Sequence, residues 1–230
     1  MKRIAISQPY LFPYVGYYQL FNCADEFIFL DDANFIKGGF VNRNFIICNK
    51  KITRFNIPIH KKSSNRPIND HYYFINKTQF KNLILEGYSK SKNFSVIYDL
   101  ISNIIEIDDQ NVSLINIRSI EMVYKFLGFN KTFYLSSKIL PRGKYKKEDW
   151  IIEICKKLNS TNYINSEGGK DLYELDYFKS NGIKLEFLKP NFLEYHQGIT
   201  SFTKGLSIID ILMNSDINKV KEMIFQYKIE

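Results

Sequence analysis

Arg3-Ile4-Ala5-Ile6-Ser7-Gln8-Pro9-Tyr10-Leu11-Phe12-Pro13-Tyr14-Val15-Gly16-Tyr17 decides how this chain folds. Arg3–Ser7 is a short apolar run and reads as a strand. The ten residues after it hold two prolines, a glycine, a glutamine and four aromatics, which is not the make-up of a core strand or helix. Pro9 and Pro13 remove backbone donors and fix φ, while Gly16 permits close backbone approach. Val15–Phe21 reads as a short helix and Glu26–Leu30 as a second buried strand ending at Asp31-Asp32. Strand, loop, helix, strand implies a parallel pair joined by a right-handed crossover. In such sheets ligands sit beyond the carboxyl ends of the strands. The stretch therefore predicts a site as well as a fold.

Working outward, Asn44–Cys48 and Ile52–Ile57 read as a hairpin turning near Asn49-Lys50, and Lys61–Pro67 as a polar loop. Thr78–Gly87, Phe94–Ile105 and Val112–Leu127 read as helices. In the last, Leu114, Ile117, Ile120, Val123, Tyr124 and Leu127 recur at three- and four-residue spacing. The α/β pattern then returns. Thr132–Leu135 reads as a strand, with a loop opening at Ser136-Ser137, and Glu148–Leu158 as a helix. Asn162–Ile164 is a short strand, Leu172–Ser180 a helix, and Ile183–Leu188 a strand stopped by Pro190. Ser207 is placed to cap a helix, with Asp210 completing an acidic capping box, and Ile217–Phe225 is the last helix. The expected fold is α/β: a mostly parallel, Rossmann-like sheet with flanking helices. Residues 1–230 are expected to form one domain, with 76–128 a mainly helical insertion or cap.

A hydrophobic fraction of 45% suits a globular chain with a real core. The net charge of +8 is carried by single and paired lysines without a long basic block. This gives no specific signal for nucleic acid and suits an anionic small molecule such as a nucleotide. Cys23, Cys48 and Cys155 are far apart and odd in number, which argues against a disulfide framework or a local metal signature. With no leader sequence and no apolar run of the ~20 residues that a membrane span needs, the expectation is a cytoplasmic protein.

Five segments carry candidate chemistry. Gln8, Tyr10, Tyr14 and Tyr17 could floor a polar site or fill a core. Asp31 and Asp32 could hold a metal, a ribose or an ammonium group, or cap a helix. Lys37 and Arg43 bracket Gly38-Gly39, with Asn42 beside them. Exposed backbone amides and cations suit phosphate or carboxylate, and a surface loop is the plain alternative. Asn165, Gly168, Gly169 and Lys170 lie between a strand and a helix. They could hold an anion or form a tight turn, and the Walker spacing is absent. His196, flanked by Glu194, Tyr195 and Gln197, is the best placed histidine for acid–base work.

These segments resemble the WbqC-like family of bacterial O-antigen and polysaccharide gene clusters. The residues that carry the resemblance are Gln8 to Tyr17, Asp31-Asp32, Lys37-Gly38-Gly39, Asn42-Arg43-Asn44, Ser136-Ser137 and Tyr163-Ile164-Asn165. Gly168-Gly169-Lys170, Tyr195-His196-Gln197 and Leu206 to Asp210 continue it. The resemblance implies a transferase that adds a glycyl or other acyl group to the amine of a nucleotide-linked amino sugar. Arg43, Lys37 and Lys170 would then bind phosphates, Asp31 or Asp32 the sugar or amine, and His196 would accept the amine proton. The cofactor would be an activated acyl donor of unknown identity, and a homo-oligomer stays open. A non-catalytic sugar- or nucleotide-binding protein is the alternative. Pro13-Tyr14-Val15-Gly16-Tyr17 is also loosely similar to the HxGH motif of ATP-using nucleotidyltransferases, with tyrosines at both histidine positions.

Overall fold

The computed structural model describes residues 2–230. The chain runs β1 (Arg3–Ser7), α1 (Val15–Cys23), β2 (Glu26–Phe29), then a hairpin of β3 (Arg43–Cys48) and β4 (Lys51–Asn56). Three helices follow, α2 (Lys77–Tyr88), α3 (Phe94–Ile105) and α4 (Val112–Phe126). The alternating part resumes with β5 (Phe133–Leu135), α5 (Ser136–Ile139), α6 (Lys147–Lys157) and β6 (Asn162–Ser166). It closes with α7 (Leu175–Ser180), β7 (Lys184–Pro190), α8 (Ile208–Asn214), α9 (Ile217–Ile224) and β8 (Tyr227–Ile229).

The main sheet has the order β5-β2-β1-β6-β7-β8, parallel except for β8. Alternation along the strands explains why it is covered on both faces. Ala5, Phe27, Phe29, Ile164 and Leu188 join a core with α1, α4, α8 and α9. Ile4, Ile6, Ile28 and Tyr163 face a second core built on Trp150, Ile151, Ile154 and Phe178. Each such buried side chain is worth about 1.5–3 kcal/mol, so a one-residue slip of β1 would exchange both cores at once.

The order has a functional consequence. From β1 the chain steps to β2 and β5 on one side and to β6 and β7 on the other. The loops leaving β1 and β6 therefore diverge at their carboxyl ends, and the space between them is the crevice position at which sheets of this kind hold ligands.

The structure corrects several local readings. Ser136-Ser137 opens a four-residue helix, not a loop, because Asp31 and Asp32 supply acceptors for its first turn. The chain after Asn165 forms a 3-10 turn over Glu167–Leu172, and the helix begins at Leu175. β7 continues through Pro190, which pairs with Tyr227 of the short β8. Ser207 caps α8 as expected, its Oγ accepting from the Ile209 amide at 3.3 Å. Asp210 does not close a capping box. The Ser207 amide donates to Phe45 O, and the Asp210 carboxylate accepts from Tyr88 and Tyr195.

Candidate functional site at the β1/β6 crevice

The loop from Gln8 to Tyr14 is held by its backbone. Phe12 is fully buried yet has φ +42°, a left-handed conformation that a bulky side chain adopts only under constraint. The constraint is visible. Its amide donates to Ser119 Oγ (3.1 Å), and its carbonyl accepts from Asn44 Nδ2 (2.8 Å) and Ser207 Oγ (2.7 Å). Asn116 Nδ2 donates to Pro9 O (2.9 Å) and Val41 O (2.7 Å), while its Oδ1 accepts from Tyr73 Oη (2.8 Å). Asn116 and Ser119 are polar residues, three apart, on the buried side of α4. That is the sequence signal by which they could have been found.

The tyrosines divide into two kinds. Tyr17 is buried and donates to Gln8 O at 2.9 Å, so its hydroxyl supports the loop from below. Tyr10 and Tyr14 are only partly buried, and their hydroxyls make no hydrogen bond among the described residues. Burial, with Tyr14 adding to it, pushes the Tyr10 hydroxyl up to about 12. Burial and the Glu167 carboxylate raise Tyr14 as well. Both are therefore donors at neutral pH, not bases. The charge of Glu167 felt at Tyr14 also ties the start of the turn after β6 to the loop after β1.

Around them stand groups with unused hydrogen-bonding capacity. Gln8 Nε2 reaches Asn34 O at 3.4 Å, and its Oε1 is buried without a partner. The Arg43 guanidinium lies 5.9 Å from the centre of the Phe40 ring, which is itself 6.5 Å from Tyr10. Arg43 forms no ion pair among the described residues, and its Nε is buried and unpartnered. Asn165 Oδ1 accepts from the Ser166 amide at 2.8 Å, and its side chain folds over Gly169, where a Cβ would overlap Nδ2.

The remaining predicted residues are placed as follows. Asn42 is buried and bonds Asn56 Oδ1 and Ile57 O, closing the mouth of the hairpin. Lys37 and Gly168 are exposed. Lys170 pairs with Glu230 and sits over Phe187, on the β7/β8 side of the sheet. Gln197 staples its own loop through both polar atoms to Thr203. His196 is exposed and makes no hydrogen bond or ion pair among the described residues. Four residues earlier, Phe192 stacks on Tyr14 with centroids 6.1 Å apart.

Asp31 and Asp32 both face α5. Asp31 Oδ1 accepts from Ser136 Oγ (3.1 Å) and the Ser137 amide (3.0 Å), and Oδ2 from Ser137 Oγ (2.6 Å) and Asn69 Nδ2 (3.1 Å). Asp32 accepts from the Arg142 amide (2.8 Å) and shares the single Ser136 hydroxyl proton with Asp31. Two carboxylates at the first turn of a helix complement its dipole. Among the described residues no cluster of His, Cys, Asp and Glu is arranged to hold a metal ion, and no helix is long and apolar enough to cross a membrane.

The model of the WbqC-like protein family matches residues 8–222. The uncharacterized protein Rv1507c of Mycobacterium tuberculosis is 25% identical over 226 residues, covering 93% of this chain and 94% of its own. No solved structure matches the chain.

Proposed function

The chain belongs to the WbqC-like protein family, and on that premise we propose that it is a transferase of surface polysaccharide assembly, adding a glycyl or other acyl group to the amine of a nucleotide-linked amino sugar. The observation that supports the reading is that Arg43, without an ion pair among the described residues, lies by Phe40 beside Tyr10 of the loop that leaves β1. Arg43 would hold the phosphates, with Gln8 and Asn165 orienting the sugar. Tyr10 and Tyr14, kept protonated by burial, would donate to the oxyanion that forms as the amine attacks the acyl carbonyl. His196, four residues after the Phe192 that packs against Tyr14, would take the amine proton, and collapse of the oxyanion would break the bond from the acyl carbon to the donor's activating group, which departs as the amide forms. Asp31 and Asp32 would act at a distance, by fixing α5.

The test is mass spectrometry of nucleotide-linked amino sugars incubated with the protein and activated glycyl or acyl donors. A product heavier by the acyl group is expected. His196→Ala should melt like the wild type, because the side chain is exposed, and should lose transfer. Transfer left intact in that variant would remove the proposed base.

A non-catalytic binding protein is favoured by one observation: both aspartates already have their oxygens occupied. Saturable binding without turnover for any donor would select it. Release of pyrophosphate from ATP would select a nucleotidyltransferase instead.

A further inference from the structure

A concave site lies on the β5 side of Asp31. It is a groove of about 880 Å³ between α4 and the β5–α5 junction, within the range of roughly 300–1,000 Å³ that small-molecule sites occupy. Its walls are apolar: Ile107, Leu114 and Ile117 on one side, Phe133 and Leu135 on the other. Leu114 is 44% exposed there.

Each acidic side chain of the groove holds a partner, but only Glu121 has an ion pair among the described residues, and Asp31 and Asp109 meet neutral donors and keep their charge. Asp31 accepts from Asn69, Ser136 and Ser137, Asp109 accepts from the Asn111 amide (2.9 Å), and Glu121 pairs with Lys125 (2.6 Å). Lys138 is exposed and makes no ion pair among the described residues. Arg118 has only a long contact to Asn103 O (3.4 Å), and its Nε is buried with no partner. An anionic head group in the groove would give the Arg118 guanidinium, which has no ion pair among the described residues, a counter-charge.

We propose that this groove binds an amphipathic anion, a short aliphatic chain ending in a phosphate or carboxylate. The chain lies against Ile107, Leu114, Ile117, Phe133 and Leu135, and the head group meets Arg118 and Lys138. The assignment does not depend on what the β1/β6 crevice binds.

The test is calorimetric titration of the full chain with octyl phosphate, octanoate, octanol and inorganic phosphate at constant ionic strength. Octyl phosphate is expected to saturate one site, with octanoate competing for it. Octanol and inorganic phosphate each have half of the recognition and should bind far more weakly. Arg118→Gln and Lys138→Gln should each weaken octyl phosphate about tenfold, the scale of one charge-assisted hydrogen bond, and leave octanol unchanged. Leu114→Trp should fill the groove from the surface and block octyl phosphate. Thermal melts accompany each variant, and if Arg118→Gln does not fold, the exposed Lys138 carries the charge test. The proposal fails if octyl phosphate does not saturate, if inorganic phosphate binds equally well, or if Lys138→Gln and Leu114→Trp bind octyl phosphate like the wild type.

Discussion

The Tyr14 ring lies over Gly16 so closely that a Cβ on the glycine would overlap Tyr14 Cε2 and stand 3.0 Å from Pro190 Cβ. Gly16 is in the first turn of α1. Its lack of a side chain lets the loop after β1 fold back on the helix it leads into.

Gly16→Ala separates local propensity from this packing. In an unconstrained helix the change would stabilise by about 1 kcal/mol. Here the Tyr14 ring must leave Phe192 or α1 must shift, so the variant should instead lose about 1–3 kcal/mol, the usual range for overpacking. Chemical denaturation measures this, and a gain in stability would show that Tyr14 moves aside freely.

Asp31 is expected to act through α5. Asp31→Ala leaves the Ser136–Ser137 turn without its acceptors and should cost about 3 kcal/mol. Asp31→Asn, which keeps two of the four bonds, should cost less. Activity should fall in step with the melting temperature in both. Loss of transfer in Asp31→Asn with an unchanged melt would instead mark the carboxylate as part of the chemistry.

The carboxylate of Asp210 is buried, accepting from Tyr88 Oη (2.5 Å) and Tyr195 Oη (2.8 Å). Burial raises it above the ordinary 3.8 despite these donors. An acid whose folded pKa is raised binds its proton more tightly in the folded state. Its contribution to stability is therefore greatest below 3.8 and declines as pH rises through the folded value. Melting temperatures of the wild type and Asp210→Asn across acidic to neutral pH should show the wild type losing ground to the variant as pH rises, then a constant gap. A gap moving the other way would mean the carboxylate is favoured in its charged form.

Much of the architecture was legible in local pattern. The strands Arg3–Ser7 and Glu26–Phe29 and the helices Phe94–Ile105 and Val112–Phe126 follow from runs and periodicity, because their burial is set by their own spacing. β8 was not legible: three residues pair only because β7 lies beside them. α5 has four residues, and its start depends on two aspartates more than a hundred positions earlier. Asp210 misled for the same reason, since its partners come from α2 and the loop after β7. In the site, Gln8, Tyr10, Tyr14 and Arg43 announced themselves by residue type. That Lys170 pairs with Glu230 while Arg43 has no ion pair among the described residues is a fact of tertiary structure alone.

This contrast between two cations gives the most direct test of the crevice. The measurement is calorimetric affinity for a nucleotide-linked amino sugar in the wild type, Arg43→Gln and Lys170→Gln at fixed salt. Arg43→Gln should weaken binding about tenfold or more, with Lys170→Gln near the wild type. Equal affinity in all three, or a loss confined to Lys170→Gln, would contradict a ligand site between β1 and β6.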